Sequence, residues 1–510
     1  MPLEYTFDAF VEWESFGYDD LDYDMGEYDS DVVRIPKLQG ITINWGRSNA
    51  TDQVGTGTAT LKVLNNEGVY SRRNTGSPLY GLLLPDRDLF VEMAIPPYGT
   101  VRLFTGQTAT IGNTYPVGQN YVMNLNAGDA FDRLRLKSIR TGLLENMRID
   151  ELVDEILDEA EWPALSRDLD ASVVTLGQAN WYRANPLEAL LTVAKNSLGG
   201  HVFVDPQTGY IRFDDYTARS LRTSHMLIQG GQVLDEELRR EDFIDSVRFK
   251  RAGLDVAVGL TALYTLNPTG RTIYPGSTYP DNTWNFQYGV AGKSVVTPVA
   301  YTDYTFNSEA DGSGVDRTAQ VSVGTFTSYG GGATVIWDNA DASVVHCTFF
   351  QVRGQASRRS NDERTIEASS ASPVVSGQEL SRDFEFNDDS LMIQAYAKYL
   401  AAISNTGQTR IQFSRIPKDN YELYKLATLG FGSRVTLDIP DAYLTGDWFV
   451  EKMQIQLPVN AGLPPNFSMV LFPADAVGGN LFRISGDSGG GQDYSLIVAD
   501  AATSGDRVAY

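Results

Sequence analysis

A change of hydrophobic period at residue 146 constrains the fold of this 510-residue chain more than any other feature. Before it, apolar residues alternate or run in short stretches between Gly, Pro and Asn. That pattern predicts strands at Gln39–Asn44, Thr58–Leu64, Leu89–Ile95, Val101–Thr105 and Tyr121–Leu125. After it, Ile149, Leu152, Val153, Ile156, Leu157 and Ala160 recur at helical spacing, and Trp162-Pro163 stops the helix. A second helix opens with Asn185 as cap, Pro186 at its first position and Glu188 completing a capping box. Leu187, Leu190, Leu191, Ala194 and Leu198 form its apolar face, and Gly199-Gly200 end it. HVFV, the turn DPQTG and YIRFDD then read as a hairpin, which closes a compact α+β unit over 136–245.

The strand period returns at Ser246–Arg251. Residues 256–375, rich in Gly, Thr, Ser and aromatics, read as a β-rich insertion. A third helix is expected over 389–403, with Met392, Ala395, Tyr396, Tyr399, Leu400 and Ile403 on one face. Strands are expected at Thr409–Ser414, Ser433–Ile439, Trp448–Leu457 and Phe467–Phe472, ahead of a Gly-rich tail over 476–510. The first strand group, over 35–135, suggests a small barrel or sandwich. Residues 1–34, centred on EWESFGYDDLDYDMGEYDSD, read as an acidic arm that is solvated or binds a partner.

Asp and Glu number 65 against 41 Lys and Arg, a net charge of −24. Duplex binding rests on neutralised phosphates, so no sequence-specific nucleic-acid binding is expected. One cysteine excludes a disulfide within the chain and a Cys-x-x-Cys metal pair. No run of about 18 apolar residues predicts a membrane span, and the opening MPLEYTFDAFVEWESF predicts no secretory signal.

Several short motifs carry chemistry in other settings. Asp20, Asp22 and Asp24 alternate as in a calcium loop, but Met25 stands where such a loop needs glycine, and Asp31 where it needs glutamate. Gly292-Lys293-Ser294 ends like a phosphate loop, with Gln287 in place of the first glycine. His201, His225 and His346 have no metal-ligand spacing, and no carboxylate pair stands out for glycosidase work. The run from Gly486 to Gly490, GDSGG, resembles the nucleophile motif of chymotrypsin-like proteases. Val344–Cys347 resembles their histidine motif, and Asp383, Asp388 and Asp389 are candidate acids. A strongly amphipathic helix between His346 and Ser488, and the few residues after Ser488, argue against that reading. No catalytic, cofactor or metal residue is therefore expected.

A different resemblance covers about 40–475. TLKVLNNEGVYS, SPLYGLLLPDRDLFVEM and LFTGQTATIG are similar to the opening domain of phage minor tail proteins, although Asp86 stands where that family's Pro-Gly-Arg turn has glycine. LVDEILDEAEWP, RDLD, ANPLEALLTVAKNSLGG and HVFVDPQTGYIRFDD resemble the family's middle unit in order. VRGQASRRSNDERTIEA, LATLGFGSRVTLDI and WFVEKMQIQL resemble its closing barrel. The resemblance implies a mainly β fold in which two tail-tube-like β-barrels, over 35–135 and 246–475, are split by the α+β domain. It implies a structural tail-tip or baseplate hub that closes the tail tube as a homotrimer and passes DNA through its lumen. Implied partners are distal tail and tube proteins, the tape measure protein and tip or fibre proteins. The implied place is the virion tail tip, after assembly in the host cytoplasm. Alternatives are a hexameric distal tail ring protein, and a cell-wall-degrading or sugar-binding tail protein acting through 256–375.

Overall fold

The computed structural model describes residues 3–12, 32–48, 53–115, 120–215, 218–230, 232–237, 244–266, 271–273, 283–287, 290–369, 378–384, 390–403, 410–458, 463–474, 483–485 and 495–497. The strands expected before residue 146 form as Leu38–Gly46, Gly55–Leu64, Asp88–Ile95, Gly99–Thr114 and Val122–Gly128, the fourth running on to Thr114 where its end was expected at Thr105. Their period of two is real. Leu38, Ile41, Ile43 and Trp45 are buried along the first of them, and Leu89, Val91, Met93 and Ile95 along the third. Each such side chain contributes roughly 1.5–3 kcal/mol on burial. The later strands form as Arg410–Arg415, Arg434–Ile439, Leu444–Pro458 and Asn466–Pro473.

The expectation of two closed barrels is overturned. Strands from both halves form one 13-stranded open sheet, in which Val32–Arg34 and Gln232–Glu237 end the main path with one neighbour each. No sheet of the described residues closes on itself. The physical reason lies in the edges. A strand edge carries backbone donors and acceptors that need partners, and closure is one way to supply them. Here Leu38–Gly46 lies antiparallel to Leu444–Pro458, from Gly40 opposite Pro458 to Gly46 opposite Lys452, so each half covers an edge of the other. A single hydrophobic core accordingly draws on both, with Ile41, Leu61, Val91 and Leu125 joined by Phe413, Val450, Met453 and Phe467.

The acidic arm is also corrected at its flanks. Thr6–Glu12 is a strand paired with Asp88–Ile95, and Ala9 and Val11 are buried beneath it. The calcium-like positions Asp20 to Asp31 lie outside the described residues.

The α+β unit forms as helices Ile149–Glu159 and Pro186–Asn196 and a hairpin of His201–Val204 with Ile211–Asp214. Asn185 caps the second helix, its Oδ1 accepting the Leu187 N–H at 2.9 Å. Their apolar faces share a second core with Val247, Phe249 and Phe384 and with the helix Ser390–Ile403, through Ile393, Tyr396 and Ala397. The segment Val352–Ala368, expected in a closing barrel, instead lies in the 25-residue strand Val345–Ser369 of a separate seven-stranded sheet. At about 3.3 Å per residue that strand runs on the order of 80 Å. Its first half pairs with strands of the insertion, and its second half with Ile244–Val256. The insertion has a third core of its own, in which Trp337 meets Tyr304, Phe306 and Phe350 at ring-centroid distances of 4.8, 5.2 and 5.4 Å.

Candidate functional site

The most chemically unusual place in the molecule is where the two sheet halves and the α+β unit meet. Glu451 stands at a register shift of its strand. Val450 pairs with Leu471 and Lys452 with Val470, leaving Glu451 as the extra residue of a bulge. The bulge turns its side chain into the protein, where it is fully buried. Gly46, at φ +102°, lets the facing strand come close. A Cβ there would lie 2.0 Å from the Glu451 carbonyl oxygen, which instead accepts the Arg47 N–H at 2.8 Å.

Two guanidinium groups converge on this one carboxylate. Arg47 Nε donates to Glu451 Oε2 at 2.6 Å, and Arg219 Nη2 donates to Oε1. Both arginines are buried, although Arg219 comes from the short helix Ala218–Leu221 of the middle unit. An aromatic cage surrounds them. Arg219 lies over Phe449 at 4.7 Å and Phe431 at 5.3 Å, and Arg47 over Phe431 at 5.5 Å. Phe203 and His201 of the hairpin pack on the same Phe431 ring, at 5.0 and 5.7 Å. Beside them Arg222 pairs with Asp214 at 2.5 Å and donates to the Phe431 carbonyl at 3.2 Å.

Charge and burial compete here. Burial alone would raise the Glu451 carboxyl, but Arg219 and Arg47 outweigh it and hold the group below the ordinary carboxylate range. For His201 every large influence points one way. Burial, then Arg47, Arg219 and Arg382, push the imidazole well below its usual value, so it is neutral. Burial raises Asp214 despite Arg222. A carboxylate locked ionised between two guanidiniums neither gives nor takes a proton near neutral pH. The arrangement clamps three parts of the chain together and offers no nucleophile or general base.

A second joint holds the insertion against the α+β unit, and it is built differently. The tip Gly330-Gly331-Gly332 lies against Asn180 and Tyr182, so close that a Cβ on Gly330 or Gly331 would sit 2.6 Å from a side-chain carbon. Gly330 N donates to Thr141 O at 2.9 Å. Lys293, the lysine of the phosphate-loop-like run, pairs with Glu145 at 2.7 Å, and Ser357 donates to Gln178 at 2.9 Å.

The protease-like residues do not assemble among the described residues. His346 shares a hydrogen bond with Thr272 at 3.1 Å near the start of the long strand. Asp383 is exposed and sits opposite Lys250, which pairs with Thr365 near the other end. That separation is on the order of 60 Å along the strand. Asp388, Asp389 and Ser488 lie outside the described residues. His225 is tied to Lys425 O and Thr428 Oγ1, and no group of three or more metal-ligating side chains occurs among the described residues.

Sequence reading did not single out Glu451, Arg47 or Arg219. The only trace was the charged pair Glu451-Lys452 inside WFVEKMQIQL, a segment that otherwise reads as a plain strand.

No family model and no curated protein matches the chain. Among solved structures it is similar to a tail protein from Neisseria meningitidis MC58, at 10% identity over 93% of this chain and 98% of that one, TM-score 0.49. It is also similar to the 43 kDa tail protein of prophage MuSo2 from Shewanella oneidensis, at 10% identity over 92% and 99% of the two chains, TM-score 0.48. A third is an E. coli component of the type VI secretion system, described as similar to the T4 tail proteins gp27 and gp5. It matches at 9% identity over 86% of this chain and 73% of that one, TM-score 0.38.

Proposed function

We propose that this chain is a structural hub protein at the tip of a phage-tail-like particle. The observation that carries the reading is the pairing of Leu38–Gly46 with Leu444–Pro458. It joins the two halves of the chain edge to edge and leaves the α+β unit spliced between them. The buried clamp at Glu451 supports the same reading, because it stiffens the joint and supplies no chemistry. The ordered segments that resemble phage minor tail proteins lie on both sides of that joint.

In this proposal the protein works as a homotrimer that closes the tail tube, contacts distal tail, tape measure and tip or fibre proteins, and lets DNA pass. Three copies of a −24 chain carry −72. Acid on the channel wall would keep a duplex from adhering, since each Lys or Arg contact with a phosphate adds affinity. Screening confines that effect to roughly 8 Å at physiological salt, so only wall-facing carboxylates count.

Native mass measurement tests the assembly. The expected result is a trimer whose interfaces bury on the order of 2,000–5,000 Å² per pair. A chain that stays monomeric at high concentration and within particles overturns the proposal. An assembled channel wall that is neutral or basic removes the role given to the acid.

A further inference from the structure

We propose that Arg72, Arg73, Tyr115 and Tyr121 form a docking surface for an acidic, aromatic-bearing segment of a partner polypeptide. The first observation is one of charge. In a chain of net charge −24, Arg72 and Arg73 are adjacent and exposed, and neither enters an ion pair or side-chain hydrogen bond among the described residues. Their loop, 65–87, holds two carboxylates. Glu67 is paired with Lys37 at 2.6 Å, and Asp86 stands at the other end of the loop, where its N–H donates to Thr108 O at 2.6 Å. Screening confines the reach of a surface charge to roughly 8 Å, so the two arginines attract an acidic group despite the sign of the whole chain.

The loop is held in place by side chains. Asn65 Oδ1 accepts the Tyr70 N–H at 3.0 Å, while Asn65 Nδ2 donates to Asn113 Oδ1 at 2.8 Å. Asn113 Nδ2 donates to Tyr70 O at 2.9 Å, and Asn74 Nδ2 to Gly68 O at 3.0 Å. Tyr70 is itself buried in the first core, two residues before Arg72. The arginines thus stand on a prepared frame, which lowers the ordering cost of binding.

Aromatic rings lie beside them. Tyr115 Oη donates to Ser71 Oγ at 3.3 Å, next to Arg72 in the chain. Tyr115 meets Tyr121 edge-on at a centroid distance of 5.2 Å, and the two are 52% and 42% exposed. Tyr and Arg are among the residue types that dominate binding energy at protein interfaces. A carboxylate can take two parallel hydrogen bonds from one guanidinium, and a ring of the same segment can pack on the tyrosine pair. A nucleic acid fits less well. Its affinity grows with the number of phosphates neutralised, and two arginines neutralise few. The surface lies within one chain, so it is present whatever the oligomeric state.

The probe is a fluorescent synthetic peptide of alternating glutamate and tyrosine, titrated into the full-length protein at low ionic strength. Saturable binding that weakens with added salt is expected. Arg72→Ala and Arg73→Ala together should weaken it roughly tenfold, the size expected for two exposed ion pairs. Tyr115→Ala with Tyr121→Ala should weaken it as well, with unfolding midpoints close to the wild type in both variants. No binding, or equal binding by the arginine variant, overturns the proposal. Tighter binding of single-stranded DNA at the same arginines would make this a nucleic-acid site and overturns it too. Peptide binding that appears only after residues 13–31 are replaced by a Gly-Ser linker would assign the surface to the chain's own acidic arm, and likewise overturns a partner.

Discussion

The two joints of this molecule hold their parts by opposite means. At the first, Arg47, Arg219 and Glu451 bring together residues far apart in sequence and bury their charges completely. At the second, three glycines let two backbones touch, and the one ion pair, Lys293 with Glu145, is about one-third exposed on each side. A buried pair is expensive to break from one side, because the remaining charge is stranded. Parting a backbone contact beside a partly exposed ion pair strands no buried charge. The first joint therefore depends on buried charge, and the second on close backbone packing beside an insertion that carries its own aromatic core.

Removing one side of the first joint should have the largest effect. Glu451→Gln strands two guanidiniums and is expected to cost about 3–5 kcal/mol in urea unfolding. Replacing Arg47, Arg219 and Glu451 together by Met should cost far less, and equal losses for the two variants would show that charge is not what holds this joint. At the second joint, Gly331→Ala should cost roughly 1–3 kcal/mol by overpacking against Tyr182. Hydrogen exchange should rise at 180–184 and 329–332 while the insertion core stays protected. Exchange that rises throughout the insertion would show the two cores to be one unit.

The pH response separates the joints further. The folded-state value of His201 is depressed, so the unfolded chain takes up a proton below about 6.5 that the fold refuses. Stability should therefore fall as pH drops through that value, and the fall should be shallower in His201→Phe. Glu451, also depressed, contributes stability above the ordinary carboxylate range and loses it as pH falls through its folded value. Midpoints that do not change between pH 7 and 5 would contradict the assignment of a neutral His201. A smaller effect is expected for Lys293→Ala, at most about 1 kcal/mol and weaker in high salt. Ser488→Ala should change nothing measurable, and covalent labelling of Ser488 by a serine-directed phosphonate would revive the protease reading.

Most single elements were legible because their causes are local. The helix at Ile149–Glu159 follows from its own apolar stripe, and the one at Pro186–Asn196 from its cap and first-turn proline. The strand Thr6–Glu12 was missed because the acidic run after it dominated the reading, although Phe7, Ala9, Phe10 and Val11 already make it an apolar stretch between Thr6 and Glu12. The clamp was illegible for a stronger reason. Glu451 looks like a surface residue of a strand until the bulge beside it is known, and a bulge is defined only against the partner strand Asn466–Pro473.

By itself, then, the sequence determined the period of each segment, the ends of its helices and the excess of acid, since these depend on neighbours within a few positions. Only the tertiary structure decided which edges meet. Nothing within either half indicates that Ile43 will lie opposite Ile455, or that two open strand groups will complete each other instead of closing separately. Pairing partners are selected by the burial of whole faces and the satisfaction of whole edges, and those quantities exist only once the chain has come together.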